Sequence, residues 1–185
     1  MGQALEDLLE ALEDVDDATR EEAAKTLAGI ADPKSLDALI GACGDEYWSV
    51  RAHAGSAVAK IGGDRAVGAL IELFNDPIME VRNQAVEAAA TLGVAPLDRL
   101  ITAMKDERWR VREHAAKTCG EIRDRKAVDA LIVVCRDRDG AVKSALSRAL
   151  MGLYPLERGQ ILLDARSVES HPGPERAARV GYLPQ

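Results

Sequence analysis

One short phrase recurs along this 185-residue chain and leaves little freedom in what it can fold into. It is an Asp, five residues, then a basic residue that usually follows Val. It reads Asp45 to Val50-Arg51, Asp76 to Val81-Arg82, Asp106 to Val111-Arg112 and Asp137 to Val142-Lys143, with a degenerate first copy from Asp14 to Thr19-Arg20. The basic residues at 20, 51, 82, 112 and 143 step by 31, 31, 30 and 31 positions. Self-similarity at such a period marks a stacked-repeat architecture, in which core is added one unit at a time. Aromatic residues are only 3% of the chain while Ala and Leu dominate, so its helices must approach closely through small side chains.

Each unit opens with apolar residues at i, i+3, i+4 and i+7. The five sets begin Leu5-Leu8-Leu9-Leu12, Leu36-Leu39-Ile40-Cys43, Val67-Leu70-Ile71-Phe74, Leu97-Leu100-Ile101-Met104 and Val128-Leu131-Ile132-Cys135. That spacing is one face of a helix, here called helix A. An Asp follows each set, and Pro77 directly after Asp76 predicts that this Asp is the N-cap of a second helix, B, with Pro at its first position. Helix B carries inward positions at 0, +4, +7, +8 and +11 from the Val, as in Val50, Ala54, Ala57, Val58 and Ile61. Gly, Pro and Asp punctuate the B-to-A connections, and the one from Leu92 to Leu97 is a residue shorter than its counterparts, which accounts for the 30-residue step.

The Asp-x5-Arg-x2-Ala pattern, two short helices per unit and a period near 31 resemble HEAT repeats, specifically the short variety called PBS-lyase HEAT-like repeats, over residues 1–153. The fold expected is all-α, an α-solenoid of five antiparallel HEAT-like helix pairs. The resemblance implies that the recurring charges bond in a ladder between neighbouring units, which makes Asp45, Arg51, Asp76, Arg82, Asp106 and Arg112 structural. It also implies an alternative function, that of an accessory subunit in a bilin-lyase or phycobilisome-related system.

The repeat vocabulary stops after Leu150. Residues 154–185 form a second, non-helical segment with short β-prone runs at Ile161–Leu163 and Val180–Leu183. Its phrases Gly159-Gln160-Ile161-Leu162-Leu163-Asp164 and Arg179-Val180-Gly181-Tyr182-Leu183-Pro184-Gln185 resemble the segment of an ABC-type ATPase that ends at the Q-loop. On that resemblance Gln185 matches a nucleotide-contacting Gln. The sequence holds no G-x-x-x-x-G-K-[ST] phosphate loop, so this segment is expected to be an incomplete fragment without ATPase activity of its own.

Several chemistries find no residues. Cys43, Cys119 and Cys135 lack C-x-x-C spacing and fall in apolar repeat columns, so they read as small core residues. His53 and His114 sit two repeats apart, about 16–20 Å for helices packed at the usual spacing, whereas a zinc–nitrogen bond is about 2 Å. No Ser, His and Asp arrangement suggests an activated nucleophile, so the chain is expected to be non-enzymatic, with no cofactor and no metal. Nucleic acid is disfavoured, because Arg108, Arg110, Arg112 and Lys117 cluster in one unit while the net charge is −7. No long apolar run and no N-terminal signal pattern are present, so no membrane role and a cytoplasmic location are expected.

Surface recognition remains. Helix-B positions −2, +2 and +6 from the Val are expected to point away from the core: Trp48, Ala52, Ser56; Met79, Asn83, Glu87; Trp109, Glu113, Lys117. Both tryptophans share one column, with Met79 between them. The resemblance to HEAT repeats implies that helix B lines the concave face, so Trp48, Met79, Asn83, Trp109, Glu113 and Lys117 are the expected contact residues for a protein or peptide partner on that concave helix-B face. Self-association through the solenoid ends is a further expectation, since an uncapped end exposes its apolar face.

Overall fold

The structure, a computed structural model, describes residues 2–124, 126–127, 131, 137–153, 161–163, 166–167 and 180–182. The chain divides into two compact units, 1–92 and 93–185. The division falls at the short connection after Leu92.

The first unit holds three helix pairs: α1 (Gly2–Ala11) with α2 (Asp17–Ile30), α3 (Leu36–Ala42) with α4 (Trp48–Ile61), and α5 (Gly63–Leu73) with α6 (Met79–Thr91). A 3-10 turn, Pro33–Ser35, leads into α3. Each A helix presents its apolar face to the B helices, and Leu39, Leu70 and Phe74 are completely buried there. The B helices also pack on one another, so α4 touches α2, α3, α5 and α6. Val50, Ala54, Ala57 and Val58 are buried as their positions predict, and so is Ala52, at 3% exposure. The expected outward direction of Ala52 is corrected accordingly: a B helix inside the stack has neighbours on three sides, and only a small side chain fits between them. Gly62 and Gly63, at φ 76° and 86°, end α4 and start α5 without an intervening loop, a backbone course that side chains with a Cβ resist.

The expected N-cap role of the repeated Asp is also corrected. Helix α4 begins at Trp48 with Tyr47 at its N-cap, and α6 begins at Met79 with Ile78 at its N-cap. The Asp lies two residues earlier and closes an Asx turn instead. Asp45 accepts from the Tyr47 N–H at 2.8 Å, Asp76 from Ile78 at 2.8 Å and Asp106 from Arg108 at 2.9 Å. Pro77 therefore sits inside that turn, where its missing N–H removes no helical bond.

In the second unit, α7 (Leu97–Ala103) pairs with α8 (Trp109–Ile122), and α8 packs against α9 (Gly140–Leu153). The expected first helix of the fifth pair, with Cys135, lies outside the described residues. Gly120 permits a close crossing: a Cβ there would stand 2.6 Å from both Cα and Cβ of Ala149. Beyond α9, β1 (Ile161–Leu163) lies between β2 (Arg166–Ser167) and β3 (Val180–Tyr182) in an antiparallel sheet. The chain is mostly helical, the all-α repeat fold its period demands.

Candidate partner-binding site

The site begins with the arginines that fix the A-to-B turns. Arg20 forks onto the Asp45 carboxylate, Nε to Oδ2 at 2.7 Å and Nη2 to Oδ1 at 3.0 Å, while its Nη1 donates to the carbonyls of Asp14 and Val15. Arg51 repeats this one unit on: Nε to Asp76 Oδ2 at 2.6 Å, Nη2 to Oδ1 at 2.9 Å, and Nη1 to the carbonyls of Asp45 and Glu46. Arg112 does the same with Asp137 and with the carbonyls of Asp106 and Glu107. Each arginine thus closes its own turn through the backbone and grips the next turn through its carboxylate. The Asx geometry explains why Asp and no longer acid stands there, since one short carboxylate serves both bonds.

Two residues of this set depart from the pattern. Arg82 donates from Nη1 to the carbonyls of Asp76 and Pro77, but its Nε is buried with no hydrogen-bond partner. The Asp106 carboxylate is held from within its own turn, by Arg108 Nε at 2.9 Å and Nη2 at 3.0 Å. The expected ladder role of Arg82 and Asp106 is corrected to that extent. The sequence separation from Arg82 to Asp106 is 24 residues, against 25 for the three forked pairs.

Burial alone would raise the Asp45 and Asp137 carboxyls, yet the guanidinium bonds of Arg20 and Arg112, the turn N–H groups and nearby positive charge hold both below the usual carboxylate value. The Arg108 bond does the same for Asp106.

In the first unit these clamped turns carry an apolar surface. Val15 is 100% exposed, Tyr47 44%, Trp48 46%, Ile78 36% and Met79 56%. An open cleft of about 730 Å³ runs between the second and third turns, walled by Tyr47, Trp48, Pro77 and Ile78 and floored by Arg51 and Asp76. The Arg20 guanidinium lies 5.7 Å from the Tyr47 ring centroid, which ties the first turn to the second. Trp48 and Met79, expected to point outward, are exposed, while Asn83 is half-buried.

Tyr47 and Ile78 were missed by the sequence reading, and a signal for them existed. Helix N-caps favour Asp, Asn, Ser and Thr, and losing such a side chain costs about 1 kcal/mol. The first repeat obeys this rule, with Asp16 accepting from the Thr19 N–H at 3.0 Å. The equivalent Tyr47 and Ile78 make no capping bond. Two helices therefore start without a polar cap and place a large apolar side chain in water at the same position.

In the second unit Trp109 is 39% exposed, with the Arg110 guanidinium 4.9 Å from its ring centroid. Glu113 and Lys117 are half-buried and line a groove of about 660 Å³ between α8 and α9, together with Glu121, Arg123 and Arg148 over the Gly120–Ala149 crossing. Gln185 lies outside the described residues.

The titratable groups near these surfaces are built into the packing. His114 is buried and donates from Nδ1 to the Arg110 carbonyl at 2.7 Å. His53 Nε2 lies 3.3 Å from Glu21 Oε1, joining α4 to α2. Burial pushes the Cys43 and Cys119 thiols up to about 12, far from the thiolate state that nucleophilic or ligand chemistry needs. Among the described residues no three His, Cys, Asp or Glu are grouped to hold a metal ion, and no helix is long and apolar enough to cross a membrane.

The stacked helix pairs define an α-helical repeat protein of the solenoid class. The chain belongs to the HEAT-repeat family: the family model described as HEAT repeats matches residues 5–90, 75–151 and 97–180. Among solved structures it is similar to the complex of CpcE and CpcF of phycocyanin lyase from Nostoc sp. PCC7120, at 24% identity and a TM-score of 0.52, over 80% of this chain and 64% of that one. An engineered protein matches at 22% identity and a TM-score of 0.50, over 81% and 79% of the two chains. A designed armadillo repeat protein in complex with peptide (KR)4 matches at 20% identity and 0.49, over 82% of each. Likeness at these identities establishes the fold alone. No curated protein matches the chain by sequence.

Proposed function

We propose that this chain is a non-enzymatic scaffold that binds a protein or peptide partner on the side where its B helices begin. Trp48, Met79 and Asn83 serve in the first unit and Trp109, Glu113 and Lys117 in the second. One observation carries the reading: large apolar side chains stand exposed at the starts of α4 and α6, on turns that the Arg20 and Arg51 forks clamp, and Trp109 stands exposed at the start of α8. Rigid aromatic and Met side chains on a preorganised frame supply contact area at low entropic cost, which is what interface anchors do.

The test is selection from a displayed peptide library on the full chain, repeated with Trp48→Ala/Met79→Ala. The expected result is loss of the selected binders with helicity and melting temperature unchanged. Persistence of every binder, or a collapse of the fold, contradicts the proposal. A shift in bilin absorbance on mixing with the chain would favour a lyase accessory subunit instead.

A further inference from the structure

The charge of the chain divides where its units divide. Residues 1–92 hold 18 Asp and Glu against seven Lys and Arg, a net −11, while residues 93–185 hold 13 against 17, a net +4. Around the apolar row of the first unit the imbalance is local. Glu13, Asp14, Asp16 and Asp17 flank Val15, Glu46 precedes Tyr47, and Glu80 follows Met79. No Lys or Arg occurs in 13–17, 45–48 or 76–80. Three arginines reach the row from α2, α4 and α6: Arg20 and Arg51 are spent on Asp45 and Asp76, Arg20 also lying 3.5 Å from the exposed Glu46, and Arg82 donates to the carbonyls of Asp76 and Pro77.

Acidic residues near helix starts have a structural use, because they complement the helix dipole. Val15, Trp48, Ile78 and Met79 have no such use where they stand, and Tyr47 has only the Arg20 guanidinium 5.7 Å from its ring centroid. Two of them occupy N-caps where a polar residue would stabilise the helix, and departures of this kind from local preference concentrate at functional sites.

Resting on the scaffold reading above, we propose that the row Val15, Tyr47–Trp48, Ile78–Met79 docks a partner's basic, apolar segment, an extended peptide with aliphatic side chains interleaved with Lys or Arg. The aliphatic groups enter the cleft between the second and third turns. The cations lie against Glu46, Glu80 and the acids around Val15. A second copy of this chain is a poorer match, because the arginines around the start of its own α8 are engaged: Arg108 on Asp106, Arg112 on Asp137, and Arg110 over Trp109.

The test uses the full chain and fluorescence anisotropy with three labelled peptides: alternating Lys and Leu, alternating Glu and Leu, and oligolysine. The Lys–Leu peptide should bind tightest, and raising salt from about 50 to 300 mM should weaken it about fivefold, since exposed charges are screened over this range. The informative variant is Tyr47→Asp/Ile78→Asp. It removes two of the row's five apolar side chains and installs two helix caps, so affinity should fall about tenfold or more while the melting temperature rises by about 2–4 °C per cap. A merely structural role for Tyr47 and Ile78 predicts a lower melting temperature and an unchanged affinity of the folded chain.

Equal binding of the Glu–Leu peptide, or Lys–Leu binding that survives the variant, overturns the assignment. If Trp109→Ala alone abolishes binding, the scaffold reading stands and this site does not. If neither these peptides nor any displayed peptide binds, both fail. Sedimentation showing a dimer of the wild-type chain that the variant abolishes would give the row to a second copy and overturn the partner named here.

Discussion

Replacing Arg51 with Met tests whether the forks, and not the apolar packing alone, hold the turns in place. The substitution keeps an unbranched aliphatic stem and removes four hydrogen bonds, two to Asp76 and two to the carbonyls of Asp45 and Glu46. Asp76, with its side chain 5% exposed, is left with the Ile78 N–H alone. Breaking one side of a fully buried ion pair costs about 3–5 kcal/mol. The Arg51 side chain reaches the surface at 11% exposure, so the cost here is about 2–4 kcal/mol. At a urea m-value of about 1–3 kcal/mol/M the midpoint should fall by about 1–2 M.

Arg82→Met is the internal control. Arg82 bonds only two carbonyls, and its Nε has no partner to lose. Its replacement should cost about 1 kcal/mol. Urea unfolding followed by circular dichroism gives both values, and Trp48 fluorescence in a Trp109→Phe background reports on the second turn itself. A double-mutant cycle with Asp76→Asn should return a coupling of about 2 kcal/mol for Arg51. Equal costs for the two arginines, or a coupling near zero, would refute the clamp.

Further outcomes follow from the same geometry. Gly120→Ala gains about 1 kcal/mol in helix propensity but drives a methyl into the Ala149 backbone, which costs about 1–3 kcal/mol. The net effect should be a lower melting temperature; an increase would contradict the close α8–α9 crossing. The folded pKa values of Asp45, Asp106 and Asp137 are depressed, so their stabilisation is fully present above the unfolded value and disappears as pH falls through the folded one. Stability should therefore be level above about pH 5 and fall below about pH 4, with Asp137→Asn flattening part of the drop in a pH series of urea midpoints. Cys119, fully buried with its thiol pushed up to about 12, should resist maleimide in the native chain and react on unfolding; prompt labelling would contradict its place in the α8 core.

The fold was legible because its determinants are periodic. Apolar residues at i, i+3, i+4 and i+7 and a fixed 31-residue step leave no arrangement but stacked helix pairs, and the short Leu92–Leu97 connection coincides with the division into two units. The turns were harder to read. The HEAT resemblance already implied that the carboxylate meets a neighbouring unit's arginine, but Asp followed by Pro looks like a cap, and only the structure reveals that helix B waits two residues longer to start. Ala52 was misplaced for a related reason, since a single-helix wheel ignores the B helices stacked on either side.

The site was half legible. Trp48, Met79 and Trp109 declared themselves as large residues in one column, whereas Tyr47 and Ile78 signalled themselves only as large apolar residues in the column of Asp16, a signal that gains its meaning once the helix starts put that column at the N-cap. The forks to Asp45, Asp76 and Asp137 follow the repeat, but Arg82 and Asp106 do not; the residue types in the column hide that difference, and the sequence marks it only in the Arg-to-Asp separation of 24 in place of 25.

Hydrogen exchange on the full chain with and without the Lys–Leu peptide is the most direct measure of where a partner sits. Docking on the clamped turns predicts slowed exchange at the amides of 14–17, 45–48 and 76–80, with little change along α8. Protection confined to the α8–α9 groove, with the turns of the first unit unaffected, would contradict the account.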